Sequence, residues 1–584
     1  MSNSPSSTGS PWFPTFARLF RWFPPFARLF RRLFNWRTLG RILVGLAAIA
    51  TFIALVCAEE NWRGKRAWER YKHQLEAQGE KLDWKDYVSP PVPDGQNFAM
   101  TPFLAPLFDF NPEPRKEGQS LWRDASGYNR ICSLQSHIGT IEQAMSQHNP
   151  SRAAQRMTDL QGWAAALTGK MNDAAAVAAE SAARKAFRRR YGLRGPGGAP
   201  EPPPAAAEPA SVALSLTRAE AAAEVLRGLE EYNPVVDELR SASQRPYAQF
   251  NIHYDTDIAT AILLPHLATV KSLTMLFQVR ASAELALGRT DQAWADTKMA
   301  LYLADTVQDE PFVISKLVQV AIVQIALRPI WEGLAERKWS DAQLVEIEQR
   351  LSKVNLLADA AMRGERALDI LVVDQARNQG RLDPEDSPSR LPGLASLLLG
   401  GFYYQNELSI ARMYQQFVVP VVDAANQRVY PSRTIANDGA AADSIARGFR
   451  PYKLFAKMLL PAISISKSET MFAFGQTRVN EAIVACALER YRLAEGQFPA
   501  SLEPLSPRFL QLLPHDLITG APLLYRRTPN GQFILYSVGW NEKDDGGSVE
   551  DTHTEPSTPE LTEADWVWQY PAPSAPPAQN AARP

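Results

Sequence analysis

Apolar and cationic positions alternate with helical spacing near the start of the chain. In WFPTFARLFRWFPPFARLFRRLF (12–34) a ten-residue phrase is followed at once by a near copy. Phe16, Leu19, Phe20 and Phe23 fall at i, i+3, i+4 and i+7. Phe26, Leu29, Phe30, Leu33 and Phe34 repeat the spacing, with Arg18, Arg21, Arg28, Arg31 and Arg32 opposite them. A continuous helix would turn the second copy by roughly 80° against the first, and Pro24-Pro25 interrupts it there. The pattern predicts two short amphipathic segments lying on a membrane surface, rings down and guanidinium groups toward anionic headgroups. A basic tail without fixed structure is the alternative.

The next pattern has no polar face. ILVGLAAIATFIALVCA (42–58) carries no charge and as a helix reaches about 25 Å, the short end of a bilayer crossing. Charge sets its expected direction. Residues 1–41 hold seven arginines and no acidic residue, and Glu59-Glu60 follow the apolar run. The positive-inside rule then places residues 1–41 in the cytoplasm and the bulk of the chain outside it, as a single-pass protein of the bacterial inner membrane. Three other readings export the same bulk. They are a cleaved signal ending at Val56-Cys57-Ala58, a twin-arginine signal at Arg31-Arg32, and a lipoprotein acylated on Cys57. An uncleaved anchor fits the length of the apolar run best.

After residue 58 the pattern is helical almost throughout. Residues 59–194 form a membrane-proximal helical region that opens with a charged helix bearing Trp62, Trp68 and Tyr71. It closes on ARKAFRRRYGLRG (183–195), read as a solvated helix C-terminus whose cations complement the helix dipole, so that no nucleic-acid partner is expected. GPGGAPEPPPAAAEPA (195–210) is a linker. Residues 211–460 carry helical hairpins, and LPGLASLLLGGFYY (391–404) is apolar but too short to span, a core helix or one that touches the membrane. In FQVRASAELALGRTDQAWADTKMALYLAD (277–305), Leu287 ends one helix, Gly288 makes the corner, Asp291 caps the next helix, and Ala293 and Ala300 allow close crossing. This stretch resembles the turn and second helix of a tetratricopeptide repeat, and stacked hairpins of that kind present a protein-binding groove. Residues 314–351 give another hairpin with Ser340 as N-cap.

Residues 461–570 read as a small α/β domain. A long helix is stopped by Gly496, a hairpin runs over 523–528 and 532–538 around Asn530-Gly531, and DWVWQY ends as a short strand. ALERYRLAEGQFPASLEPL, LPHDLITGAPLLYRR and FILYSVGWNEKDDGG together resemble the globular part of the major pseudopilin of type II secretion, over about residues 468–570. The whole chain also resembles large bacterial single-pass membrane proteins with such an ending. The pseudopilin resemblance implies a calcium site in the final loop, carried here by Asn541, Asp544, Asp545 and Asp565, oxygen ligands suited to that ion. Gly45 stands where a pseudopilin has glutamate in its apolar helix, and Asn541 where it tends to have aspartate. Polymerisation as a pilin subunit is therefore not expected. Residues 571–584 form a disordered tail.

Composition adds little chemistry. Cys132 and Cys486 are the only cysteines outside the apolar run, and both are expected unpaired. No zinc-protease His-Glu-x-x-His, Gly-x-Ser-x-Gly elbow, P-loop or Cys-x-x-Cys pair occurs. One cluster, His253, Asp255, Asp257 and His266, has the donor types of a mixed nitrogen and oxygen metal site and carries the alternative of an anchored metal-dependent hydrolase; a polar turn before a helix explains the same residues. The sequence thus predicts a mainly α protein with no assigned catalytic residue. It would be anchored in the lipid bilayer, hold other envelope proteins, and be tied to secretion or pilus-like machinery.

Overall fold

The computed structural model describes residues 36–110, 121–148, 157–168, 216–254, 262–358, 360, 362–380, 392–447, 450–463, 465–547, 561 and 563–570. The amphipathic segments with Arg18, Arg21, Arg28, Arg31, Arg32, Phe16, Phe20, Phe26 and Phe30, the linker 195–210, Asp255, Asp257 and the tail 571–584 lie outside the described residues.

Among the described residues the chain is mainly helical. The first helix, α1 (Trp36–Glu76), is followed by α2 (Ala125–His148), α3 (Leu160–Leu167), α4 (Arg218–Gly228) and α5 (Asn233–Ala242). The central helices are α6 (His266–Ala286), α7 (Thr290–Asp305), α8 (Val313–Ala335), α9 (Asp341–Leu351) and α10 (Arg363–Gln379). Then come α11 (Pro392–Met413), α12 (Pro431–Ala446), α13 (Leu454–Ile463) and the long α14 (Ile465–Glu495). A two-residue ladder pairs β1 (Val422–Asp423) with β2 (Arg428–Val429). Strands β3 (Leu524–Arg527), β4 (Phe533–Ser537) and β5 (Trp566–Gln569) form one antiparallel sheet in that order.

Two units contain these elements. Residues up to Tyr71 together with 376–405 make one; residues 72–375 together with 406–584 make the other. In the first, α1 carries the apolar run. Leu43, Val44, Phe52 and Leu55 are between 57% and 70% exposed, and α1 is long and apolar enough to cross a membrane. Further along, α1 and α11 meet through glycines. A Cβ on Gly64 would lie 2.9 Å from the Gly401 carbonyl oxygen, and one on Gly401 would lie 2.6 Å from that of Glu60. The Gly401 N–H donates to the Asn61 amide oxygen at 2.5 Å. Only hydrogen at both positions permits that approach.

In the second unit, α6 and α7 form a hairpin on which α8 packs, and α14 packs against α8, α9 and strands β4 and β5 of the sheet. The segment 461–570, read from sequence as a terminal domain, thus packs together with the helical body in one unit. The Trp331 indole N–H of α8 donates to the Gln569 carbonyl of β5 at 3.0 Å. Phe277, Trp331, Phe472, Trp566 and Trp568 are buried to under 3% exposure, each contributing about 2–3 kcal/mol over its exposed state.

Local sequence explains several boundaries. Gly288 has φ +75° and ends α6, with Leu287 as its cap, while Ala293 and Ala300 are fully buried in the α6–α7 contact. Asp291 differs from expectation. Arg289 occupies the N-cap without a side-chain bond, and Asp291 sits in the first turn, accepting from the Gln343 amide of α9 at 2.9 Å. The cap of α9 is a reciprocal box between Ser340 and Gln343. Two hairpins, α6/α7 and α8/α9, use the same left-handed corner, but the second places Arg337 there, at φ +55°. Gly496 ends α14 at φ +80°. The β3–β4 hairpin has only Gly531 at positive φ (+77°) and an N–H from Gly531 to the Thr528 carbonyl at 3.0 Å. It is a three-residue loop closed by a glycine bulge, not a two-residue turn with both Asn530 and Gly531 left-handed.

Candidate functional site

A cleft lies in the first unit beside the glycine crossing. It is a shallow, largely open depression of about 400 Å³ lined by Asn61, Trp62, Lys65, Arg377, Gly393, Gly400 and Tyr404. Its walls come from three helices. α1 supplies Asn61, Trp62 and Lys65 on consecutive turns, α10 supplies Arg377, and α11 supplies the glycines and Tyr404. Trp62 is 61% exposed and lies under the Arg66 guanidinium, 5.1 Å from ring centre to Cζ. Arg377 stands over the Tyr404 ring at 4.5 Å. A Cβ on Gly393 would meet nothing within 4 Å, whereas one on Gly400 would meet the Asn61 side chain at 3.3 Å. Sequence reasoning placed Trp62 on the charged helix that follows the apolar run but did not single out Lys65, Arg377 or Tyr404. The available signals were Gly64 inside a charged helix and the Gly400-Gly401 pair.

In the C-terminal loop hydrogen bonds link Asn541, Asp545 and Asp565, while Asp544 bonds instead to Tyr536 and the Gly546 N–H. Asp565 accepts from the backbone N–H of Asp545 at 3.1 Å and of Gly547 at 2.7 Å. The Asn541 amide donates to the Asp545 carboxylate at 2.9 Å, and the Tyr536 hydroxyl donates to Asp544 at 3.1 Å. Burial raises the Asp565 pKa, against the pull of the Gly547 and Asp545 amides. Among the described residues no three His, Cys, Asp or Glu side chains converge in a metal-holding arrangement. The loop as built orders its own backbone around Asp565.

Of the predicted histidine cluster, the two described members, His253 and His266, each have other partners. A His253 ring nitrogen lies 3.2 Å from the Phe108 carbonyl oxygen, and the ring packs 4.6 Å from Phe110. His266 is fully buried, stacked 4.2 Å from Phe250, with Nε2 2.7 Å from the Glu310 carboxylate. The second Glu310 oxygen accepts from the Ser315 hydroxyl.

Buried ion pairs take up other candidate chemistry in the second unit. Arg363 and Arg366 of α10 both reach Glu80, at 3.0 and 2.8 Å. Burial raises the Glu80 pKa, but the two guanidinium groups outweigh it and the net shift is down. Glu332 is fully buried and accepts from the Thr158 N–H at 2.7 Å, the Thr158 hydroxyl at 2.5 Å and Arg218 at 3.0 Å; burial still raises its pKa. Asp369 accepts from the Tyr414 hydroxyl at 2.9 Å, and burial followed by the charge of Glu365 pushes its carboxyl well above the usual range. Cys57, Cys132 and Cys486 are all free. No family model, curated protein or solved structure matches the chain.

Proposed function

We propose that this protein is a membrane-tethered interaction protein of a bacterial cell envelope, with its helical body outside the cytoplasm and partner envelope proteins held on it. The observation that carries this reading is the exposed apolar half of α1, in a helix that continues without interruption to Glu76. An apolar surface that long is costly in water and favourable in a bilayer. The seven arginines before it and Glu59-Glu60 after it support the orientation. The α6/α7 and α8/α9 hairpins support a role in holding other proteins, and the pseudopilin resemblance of 468–570 supports a tie to secretion or pilus-like machinery.

The test has two arms. Leu512 is 83% exposed, so Leu512→Cys in full-length protein supplies an accessible thiol. A membrane-impermeant maleimide should label it in intact spheroplasts as strongly as after detergent; labelling only after detergent overturns the orientation. Capture of the full-length protein from solubilised membranes should bring down secretion or pilus components in stoichiometric yield. Their absence there removes the tie to that machinery.

A further inference from the structure

We propose that Asn530, at the tip of the β3–β4 hairpin, is a site of spontaneous deamidation, and that Thr528 in the same loop promotes the reaction. The proposal is independent of the membrane reading of α1.

Position comes first. Asn530-Gly531 is the one Asn-Gly pair in the chain. Glycine has no Cβ to shield its main-chain nitrogen, so that nitrogen can approach the carbonyl carbon of the preceding side chain. The two atoms belong to adjacent residues, and their encounter is intramolecular. Pro529, Asn530 and Gly531 are all exposed, so water reaches the pair.

Polarisation comes second. The Asn530 side-chain oxygen accepts from the Thr528 hydroxyl and from the Gln532 N–H, the latter at 3.3 Å. A backbone N–H can only donate, so the Gln532 bond identifies that end of the amide as the oxygen. Two donors on a carbonyl oxygen draw electrons from its carbon. They also stand where negative charge gathers when a nucleophile adds.

The steps balance without a cofactor. The Gly531 nitrogen gives its proton to solvent, and its electron pair forms a bond to the Asn530 Cγ. Charge collects on Oδ1, beside Thr528 and Gln532. The adduct collapses, the Cγ–Nδ2 bond breaks, and ammonia leaves with a proton taken back from solvent. Water then opens the five-membered imide. Opening at Cγ gives aspartate; opening at the main-chain carbonyl gives isoaspartate. One water is consumed, one ammonia is released, and nothing is oxidised or reduced.

One contact opposes the attack. The Gly531 N–H donates to the Thr528 carbonyl at 3.0 Å, and that bond must break first. It is a neutral bond, whereas bonds to the developing oxyanion are charge-assisted and about twice as strong. Two of the second kind outweigh one of the first. Isoaspartate then adds a main-chain carbon inside a three-residue loop, so the opposing bond is not remade in its old geometry.

The experiment uses folded full-length protein in detergent, held warm at mildly alkaline pH and sampled over days. Trypsin releases Thr528–Lys543, which holds Asn530 and Asn541. Mass spectrometry reads the exchange of amide for acid, and electron-transfer fragmentation assigns the residue and separates aspartate from isoaspartate. Thr528→Val removes the hydroxyl at nearly constant shape, and Thr528→Ser restores it. In wild type and Thr528→Ser, Asn530 should convert ahead of every other asparagine. In Thr528→Val it should convert about fivefold more slowly, the worth of one hydrogen bond. In guanidinium chloride, which melts the hairpin, all three should convert at one rate. Intact Asn530 in folded wild type overturns the site. Equal rates for folded wild type and Thr528→Val, or the same gap between them in guanidinium, overturn the part given to Thr528.

Discussion

Among the described residues two helices have the length and apolarity to cross a bilayer, and one is exposed where the other is more than half buried. Over its most apolar eighteen residues α1 has a mean hydropathy of 2.4 and is 0% buried; α8 has 1.6 and is 56% buried. The difference lies in a few polar positions and in what reaches them. From 42 to 58, α1 carries no charge. Helix α8 carries Lys316, Gln319, Arg328 and Glu332, and the body supplies partners for Lys316 from nearby and for Glu332 from far along the chain. The Gln308 carbonyl accepts from Lys316, and Thr158 and Arg218 donate to Glu332. A bilayer offers no such donors, so each of those groups would be a large penalty there. Hydropathy alone does not separate the two environments; the satisfaction of the polar minority does.

The hardest way to break this comparison is to put the same carboxylate into each helix. Ile322 of α8 is fully buried, whereas Ile49 of α1 is 58% exposed. Ile322→Asp should cost at least about 4 kcal/mol and abolish the cooperative melt of the body. Ile49→Asp should leave that melt unchanged and reduce the membrane-integrated fraction after carbonate washing. Equal melting of both variants would mean that the two helices share one environment.

A smaller effect comes from the carboxylates the body does tolerate. Glu481 on α14 is fully buried, and burial raises its pKa to about 7 against the pull of Arg478, with Asp516 adding to the rise. A folded-state pKa above the unfolded value of about 4.5 means the native protein binds the proton more tightly. Its contribution is then greatest below that unfolded value, declines as pH rises toward 7, and is flat above. Denaturant melts should show wild type losing stability relative to Glu481→Gln from pH 5 to 8, by on the order of 1–3 kcal/mol. A gain over that range would refute the assignment.

The smallest effect is expected at the end of α8. Arg337 holds a left-handed conformation at φ +55°, where the matching corner after α6 uses Gly288. Arg337→Gly should stabilise the body by up to about 1 kcal/mol, read as a shift in the same melt.

These cases show what the chain's pattern conveys. Gly288, Ser340 and Gly496 were legible because each acts on its own few residues, through a backbone conformation or a cap. Asp291 was misread as a cap, because its actual partner, Gln343, lies on another hairpin. Asn530-Gly531 marked the hairpin, yet of the two only Gly531 takes the left-handed conformation. The cleft was least legible. Lys65 and Arg377 are separated by more than three hundred residues, yet both line it. Nothing in the local period of α1 or α11 signals the crossing at Gly64 and Gly401 beside it.

That crossing has a consequence for heredity. At Gly64 and Gly401 the opposing surface is main chain, identical whatever residues flank it. An alanine at either glycine therefore meets an obstacle that no neighbouring codon can shorten. Intragenic suppressors by side-chain trimming are ruled out, so conditional alleles made there should yield true revertants and little else.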